Sequence, residues 1–89
     1  MPEVSVIIPV YNAGNYILDL LEDLRKQTYK KAEFILVNDG STDNSLQIIN
    51  NYINKYLDHR FKVINQSNSG VSCARNNGLK HAIGNYIIF

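Results

Sequence analysis

Four short apolar runs alternate along this chain with segments whose apolar residues recur at helical spacing, and that alternation restricts the fold more than any other feature. Val4 to Pro9 is followed by Ile17, Leu20, Leu21 and Leu24 on one helix face, with Gly14 and Thr28 near the limits of that helix. Glu33 to Val37 gives way to Leu46, Ile49, Ile53 and Leu57, the inner face of a second helix whose start carries the capping residues Ser41, Thr42 and Asp43. Phe61 to Asn65 precedes a third, weaker helix over Val71 to Ala82, after which Gly84-Asn85 turns the chain into a last strand, Tyr86 to Phe89. Continuous apolar strands joined through helices need crossover connections, which are right-handed. The order β-α-β-α-β-α-β therefore predicts an α/β fold: a Rossmann-like parallel sheet of about four strands with helices on both faces.

The 89 residues form one unit without repeat, linker or internal boundary. A domain of this size buries roughly 60–70% of its unfolded surface, enough for a core with little margin. A net charge of +1 with no run of one sign gives no electrostatic case for nucleic acid or an anionic membrane. There is no apolar stretch of membrane-spanning length. One cysteine, Cys73, excludes an internal disulfide, and with no signal peptide visible a reducing cytoplasmic location fits best. The sequence stops on an apolar strand whose polar loop would follow Phe89, so residues 1–89 read as the front part of a larger domain.

Open parallel sheets bind ligands beyond the carboxyl ends of their strands, and three stretches fall there. Asp39 follows Phe34-Ile35-Leu36-Val37 and precedes Gly40. Its carboxylate has acceptors only, which suits a ligand donor such as the ring N–H of a pyrimidine or a ribose hydroxyl. The competing role is a turn and helix cap shared with Gly40 and Ser41. Tyr11 lies two residues beyond strand one, behind a backbone stiffened by Pro9, where its ring either stacks a base or covers the sheet end. Asn12 either touches the ligand or caps helix one, and the cap is the expectation.

Arg75 sits early in the third helix among small and amide residues, with no acidic partner nearby in sequence. A helix start beside a guanidinium favours a pyrophosphate or a base carbonyl, although a solvated surface arginine would look the same. Cys73 reads as buried filler among small residues. His59 and His81 have no second ligand at metal spacing, so zinc has no support. A nicotinamide-dependent oxidoreductase would need the glycine fingerprint where Pro9-Val10-Tyr11-Asn12-Ala13-Gly14 holds one glycine. A phosphoacceptor receiver domain would need acids where Tyr11-Asn12 and Asn65-Gln66 stand.

Val6-Ile7-Ile8-Pro9-Val10-Tyr11-Asn12, Ile35-Leu36-Val37-Asn38-Asp39-Gly40-Ser41-Thr42-Asp43 and Gly70-Val71-Ser72-Cys73-Ala74-Arg75-Asn76-Asn77-Gly78 resemble three consecutive signatures of family 2 glycosyltransferases with the GT-A fold. The resemblance covers essentially the whole chain. It implies that Pro9 and Tyr11 belong to the floor of a nucleoside site, that Asp39 bonds the base, and that Arg75 lies near base and phosphates. It further implies a full-length enzyme that moves a sugar from a nucleotide-diphosphate donor, with uracil the expected base, to the hydroxyl of a carbohydrate or lipid-linked acceptor with inversion. A divalent metal, Mg or Mn, would hold the diphosphate, and an aspartate would act as base. The ligands of that metal and the base would lie beyond residue 89, leaving this chain the nucleoside half. The alternative is a nucleotide-binding or interaction fragment without turnover.

Overall fold

The computed structural model describes residues 2–89. Seven elements follow one another: β1 (Val4–Val10), α1 (Ile17–Arg25), β2 (Ala32–Asp39), α2 (Ser45–Tyr56), β3 (Phe61–Gln66), α3 (Val71–His81) and β4 (Tyr86–Ile88). The four strands form one parallel sheet in the order β3-β2-β1-β4. The chain steps outward from β1 twice and then crosses to its other side, so the strand order reverses between β1 and β4. Such a reversal opens a crevice at the carboxyl ends of the strands. The expected order of elements is the observed one. The main shift at a boundary is in β2, where Asp39 is the last strand residue and not the first of the turn.

Alternation along the strands divides the core in two. Val4, Val6, Ile8 and Val10 of β1, with Phe34 and Leu36 of β2, pack with Ile17 and Leu21 of α1 and Ile49 and Tyr52 of α2. Residues of the opposite parity, Ile7, Ile35 and Val37, pack with Ala74 of α3. All eight residues of β2 are buried because strands flank it on both sides and helices cover both faces. That is why Phe34 to Val37 at its centre form a continuous apolar run, and why its polar residues Glu33 and Asp39 need bonded partners. Leu57, expected on the inner face of α2, departs from it. It ends the helix in the left-handed region at φ 52°, its amide bonded to the Ile53 carbonyl, and is 79% exposed. Once the backbone leaves the helical region, helical spacing no longer sets the direction of the side chain.

Helix α3 meets the sheet through small residues. Ala74 and Gly78, one turn apart, are its buried positions, and a Cβ on Gly78 would lie 2.5 Å from Cγ2 of Ile7. The weak apolar pattern of this segment marks a helix pressed close to the sheet. Cys73, expected to be buried, is exposed. It precedes Ala74 by one residue, which turns it about 100° away from the line of contact.

A polar cluster holds the turn between α3 and β4. Glu33 accepts from Ser5 Oγ, from Lys62 Nζ at 2.6 Å and from the Ile83 amide at 2.8 Å, while the Gly84 amide donates to Ser5 Oγ at 2.9 Å. Burial pushes the Glu33 carboxyl up, but the Ile83 amide, the Lys62 ammonium and the Ser5 hydroxyl together outweigh it and hold the group below the ordinary glutamate value. The anchored turn sets β4 beside Val4 to Val6 of β1. Pro9 lies past the end of that ladder. The Tyr86 amide bonds the Glu3 carbonyl, which puts the odd-numbered amides of β1 on the β4 side, so the N–H that Pro9 lacks would have faced the open edge.

The close approach of α3 is testable by substitution. Gly78→Ala should destabilise the fold by about 1–3 kcal/mol despite the better helix propensity of alanine, because the added methyl must push α3 away from Ile7. Urea unfolding measures this. A neutral or stabilising substitution would show that the contact has room to spare.

Candidate functional site

A cavity of about 390 Å³ opens beyond the carboxyl ends of β1 and β2, lined by Pro9, Val10, Tyr11, Tyr16, Asp39, Asn68, Gly70 and Val71. Strand register brings the first of these together. Pro9 pairs with Val37 and Val10 with Asn38, so Tyr11 stands one step past the last pair and opposite Asp39. Pro9, Tyr11 and Asp39 also share the parity of Ile7, Ile35 and Val37, the residues on the face that α3 covers. Tyr11 is 51% exposed and Asp39 5%.

The Asp39 carboxylate is held from three directions. Gln66, its lateral neighbour in β3, donates from Nε2 to Oδ1 at 2.9 Å. The Ser69 amide donates to Oδ1 at 2.7 Å, and the Gly70 amide to Oδ2 at 3.0 Å. Asn77 Nδ2 donates to Gln66 Oε1 at 3.0 Å, which orients the Gln66 amide with its nitrogen toward Asp39. The side chain of Asn68 donates to the Asp39 carbonyl at 3.1 Å. These bonds fasten the β3–α3 loop over the tip of β2. The Gln66 bond first, and then the Ser69 amide, hold the Asp39 carboxyl below the ordinary aspartate value of 3.8 against the opposing effect of burial. An ionised carboxylate offers about four acceptor positions, so three protein donors leave about one free, on Oδ2.

Gly40 makes this closure sterically possible. It sits at φ 66°, and a Cβ there would meet the Asn68 amide nitrogen at 2.6 Å, so both the turn and the approach of the loop call for glycine.

The β1–α1 and β2–α2 loops are bonded to each other. Asn12 Oδ1 accepts from the Thr42 amide at 2.8 Å and from Thr42 Oγ1 and the Asp43 amide at 3.3 Å each, while its own amide donates to Ser41 Oγ at 3.0 Å. The Ala13 amide donates to Ser45 Oγ at 2.8 Å and the Gly14 amide to Asp43 Oδ2 at 3.0 Å. Asn12, expected to cap α1, thus reaches across to the neighbouring loop, and the N-cap of α1 is Tyr16. The N-cap of α2 is Asn44, without a side-chain cap bond; of the expected caps, Asp43 accepts from the Ser45 amide at 3.0 Å just inside the helix, whereas Ser41 and Thr42 serve the junction between the loops. Arg75 stands outside the cavity lining, one turn along α3 from Val71. Its guanidinium carbon is 5.8 Å from the centroid of the Phe89 ring.

Residues 5–89 match the family described as glycosyl transferase family 2. The chain belongs to this family. It is 46% identical over 87 residues to glycosyltransferase GlyA of Streptococcus pneumoniae serotype 4, covering 98% of this chain and 12% of GlyA. The crystal structure of S. aureus TarS 1-349 in complex with UDP superposes with a TM-score of 0.85 at 41% identity, covering 100% of this chain and 26% of that one. The mannosyltransferase PcManGT from Pyrobaculum calidifontis, in complex with GDP-Man and Mn2+, gives a TM-score of 0.86 at 28% identity, covering 92% of this chain and 25% of that one. This family 2 chain has the GT-A type of fold and spans about a quarter, or less, of the length of these relatives.

Among the described residues of the family 2 chain, no three His, Cys, Asp or Glu side chains are grouped to hold a metal ion, and no helix is long and apolar enough to cross a membrane. Val10, Tyr16, Asn68, Gly70 and Val71 in the cavity wall, and Gln66 and Ser69 behind Asp39, were not expected from the sequence. For Gln66 a signal existed, since it closes an apolar strand with a polar side chain as Asp39 does. A further cavity of about 300 Å³ lies between α1 and α2, with Leu18, Tyr52 and Tyr56 in its wall. It opens on helix surfaces away from the strand tips, and its phenol at Tyr52 already accepts from Arg25 Nε at 2.7 Å.

The Asp39 clamp has a defined pH window. Its folded carboxyl titrates below the ordinary 3.8, so its contribution to stability is fully present above that value and is lost as pH falls through the folded value. Hydrogen-exchange protection of the Ser69 and Gly70 amides should hold from neutral pH to near 3.8 and then fall ahead of the Ile35 amide in the core. Ser69 and Gly70 amides that lose protection only together with Ile35, at whatever pH that occurs, would mean that ionised Asp39 does not fasten the loop.

Proposed function

We propose that residues 1–89 are the nucleotide-binding part of a glycosyltransferase domain, and that the full-length protein transfers a sugar from a uridine diphosphate sugar to an acceptor hydroxyl with inversion. The observation that carries this reading is the shared cavity of Tyr11 and Asp39, in which an aromatic face stands beside a carboxylate with one acceptor position free. The uracil ring presents an N–H at the edge where cytosine presents a lone pair, so an acceptor there selects uracil. Stacking on an aromatic ring supplies about 1–3 kcal/mol per base without selecting among bases. UDP in the 41% identical TarS structure supports the choice of uridine over the guanosine of the more distant PcManGT complex.

In this reading Pro9 and Tyr11 form the floor under the base, Asp39 accepts from its ring N–H, and Arg75 meets the diphosphate as it leaves the cavity along the start of α3. The acceptor oxygen attacks the anomeric carbon, the bond to the diphosphate breaks with its electron pair, and a base takes the hydroxyl proton. A divalent metal, Mg or Mn, would neutralise the departing diphosphate. The Mn2+ of the PcManGT complex supports that part of the proposal. The residues described here do not form a site for such an ion, and its ligands and the base are assigned to the polypeptide beyond residue 89. The acceptor is a carbohydrate or a lipid-linked one, as in polysaccharide assembly. The single cysteine, which can form no internal disulfide, fits a cytoplasmic location.

Titration of uridine and cytidine diphosphates tests the assignment. The wild-type protein should prefer the uridine nucleotide, and Asp39→Ala should remove most of that preference even where it weakens both. Arg75→Ala should weaken uridine diphosphate more than uridine. Equal binding of both bases by wild type, or an unchanged ratio in Asp39→Ala, would confine Asp39 to its structural role.

A further inference from the structure

On the reading just given, we propose that Asn12 is a positioning residue for the base: its carboxamide joins the β1–α1 loop to the β2–α2 loop and so fixes the spacing between Tyr11 and Asp39 across the cavity. The two walls of the site come from different strands, and the ladder between those strands ends at Val10 and Asn38. Tyr11 lies past that end. The cross-loop bonds of the very next residue take over where the ladder stops.

The backbone of Asn12 fits this role. It lies at φ 49°, a left-handed conformation that asparagine enters several-fold more readily than most residues. From there Oδ1 collects the Thr42 and Asp43 amides and the Thr42 hydroxyl, while the Asn12 amide returns a bond to Ser41 Oγ. The junction is therefore reciprocal, with donors and acceptors on both loops, and it begins two residues after Asp39. The neighbouring bonds, from Ala13 to Ser45 and from Gly14 to Asp43, hold the approaches to the helices and lie farther from the ring. Asn12 is exposed and belongs to neither core cluster, so its loss leaves the packing of the fold intact. What it controls is where Tyr11 stands relative to Asp39. Misplacing a positioning contact by an ångström can cost up to about a hundredfold, and holding it in place before binding removes that loss.

Asn12→Gly isolates the carboxamide, because glycine accepts the same φ without strain. In the full-length protein the dissociation constant for uridine diphosphate should rise about tenfold, with the unfolding midpoint little changed. The decisive readout is a double-mutant cycle with Tyr11→Ala. If Asn12 acts through the ring, Asn12→Gly on the Tyr11→Ala background should change affinity by less than about twofold. Wild-type affinity in Asn12→Gly would overturn the proposal, as would the same tenfold loss with the ring absent, which would make Asn12 a general loop staple. A wild-type protein that binds uridine diphosphate selectively while Asn12→Gly matches it removes this inference alone. A wild-type protein that ignores uridine diphosphate removes the proposed function as well.

Discussion

Two carboxylates on one face of β2 clasp α3 at both ends, and the cavity depends on that clasp. Glu33 bonds the Ile83 amide just after the helix, and Asp39 bonds the Ser69 and Gly70 amides just before it. The two acids share the parity of Ile35 and Val37, so both face the helix. Their separation of six residues corresponds to about 20 Å of strand. The eleven residues of α3 span about 17 Å, so strand and helix match in length. Amides at a helix start have no intrahelical acceptor, and a carboxylate on the neighbouring strand meets that need while fixing where the helix begins. With its start held over the tips of β1 and β2, α3 contributes Val71 to the cavity wall, and its loop contributes Asn68 and Gly70.

Small residues let the clasp close. Ala74 and Gly78 bring the helix axis near the sheet, and Gly40 lets the β3–α3 loop settle on the tip of β2. Under the proposed function Asp39 has two tasks that compete for the same oxygen atoms. Three protein donors occupy most of its acceptor capacity and leave about one position on Oδ2, and Asp39 lines the cavity that Tyr11 shares. A fixed carboxylate discriminates between bases better than a free one, because it cannot turn to suit a ring that lacks the N–H. In the proposed function, structural closure and base selection are thus two consequences of one set of bonds.

Much of this was legible in the sequence. Periodicity located all seven elements because buried parallel strands and one-faced helices have different repeats, and Tyr11 and Asp39 stood out because a ring and an acid fall where apolar runs end. Other features depended on relations that periodicity does not encode. The register of Pro9 with Val37, which sets Tyr11 opposite Asp39, follows from how two strands pair. The contact of α3 through Gly78 left no apolar stripe, so Cys73 was assigned to a buried side that it does not occupy. Leu57 kept helical spacing after the backbone had stopped being helical. Asn12 was expected to cap α1 and instead bonds the loop that follows the neighbouring strand. Arg75 read as part of the same cluster, but its position one turn into α3 sets it beside Phe89 and outside the cavity lining.

In the proposed function the base stands between Tyr11 and Asp39 at the strand tips, and not in the aromatic groove between α1 and α2. Intermolecular nuclear Overhauser effects from the uracil H5 and H6 protons of bound uridine diphosphate distinguish these places directly. Contacts to the ring protons of Tyr11 are the expected result. Contacts to Leu18, Tyr52 and Tyr56 with Tyr11 silent would contradict it.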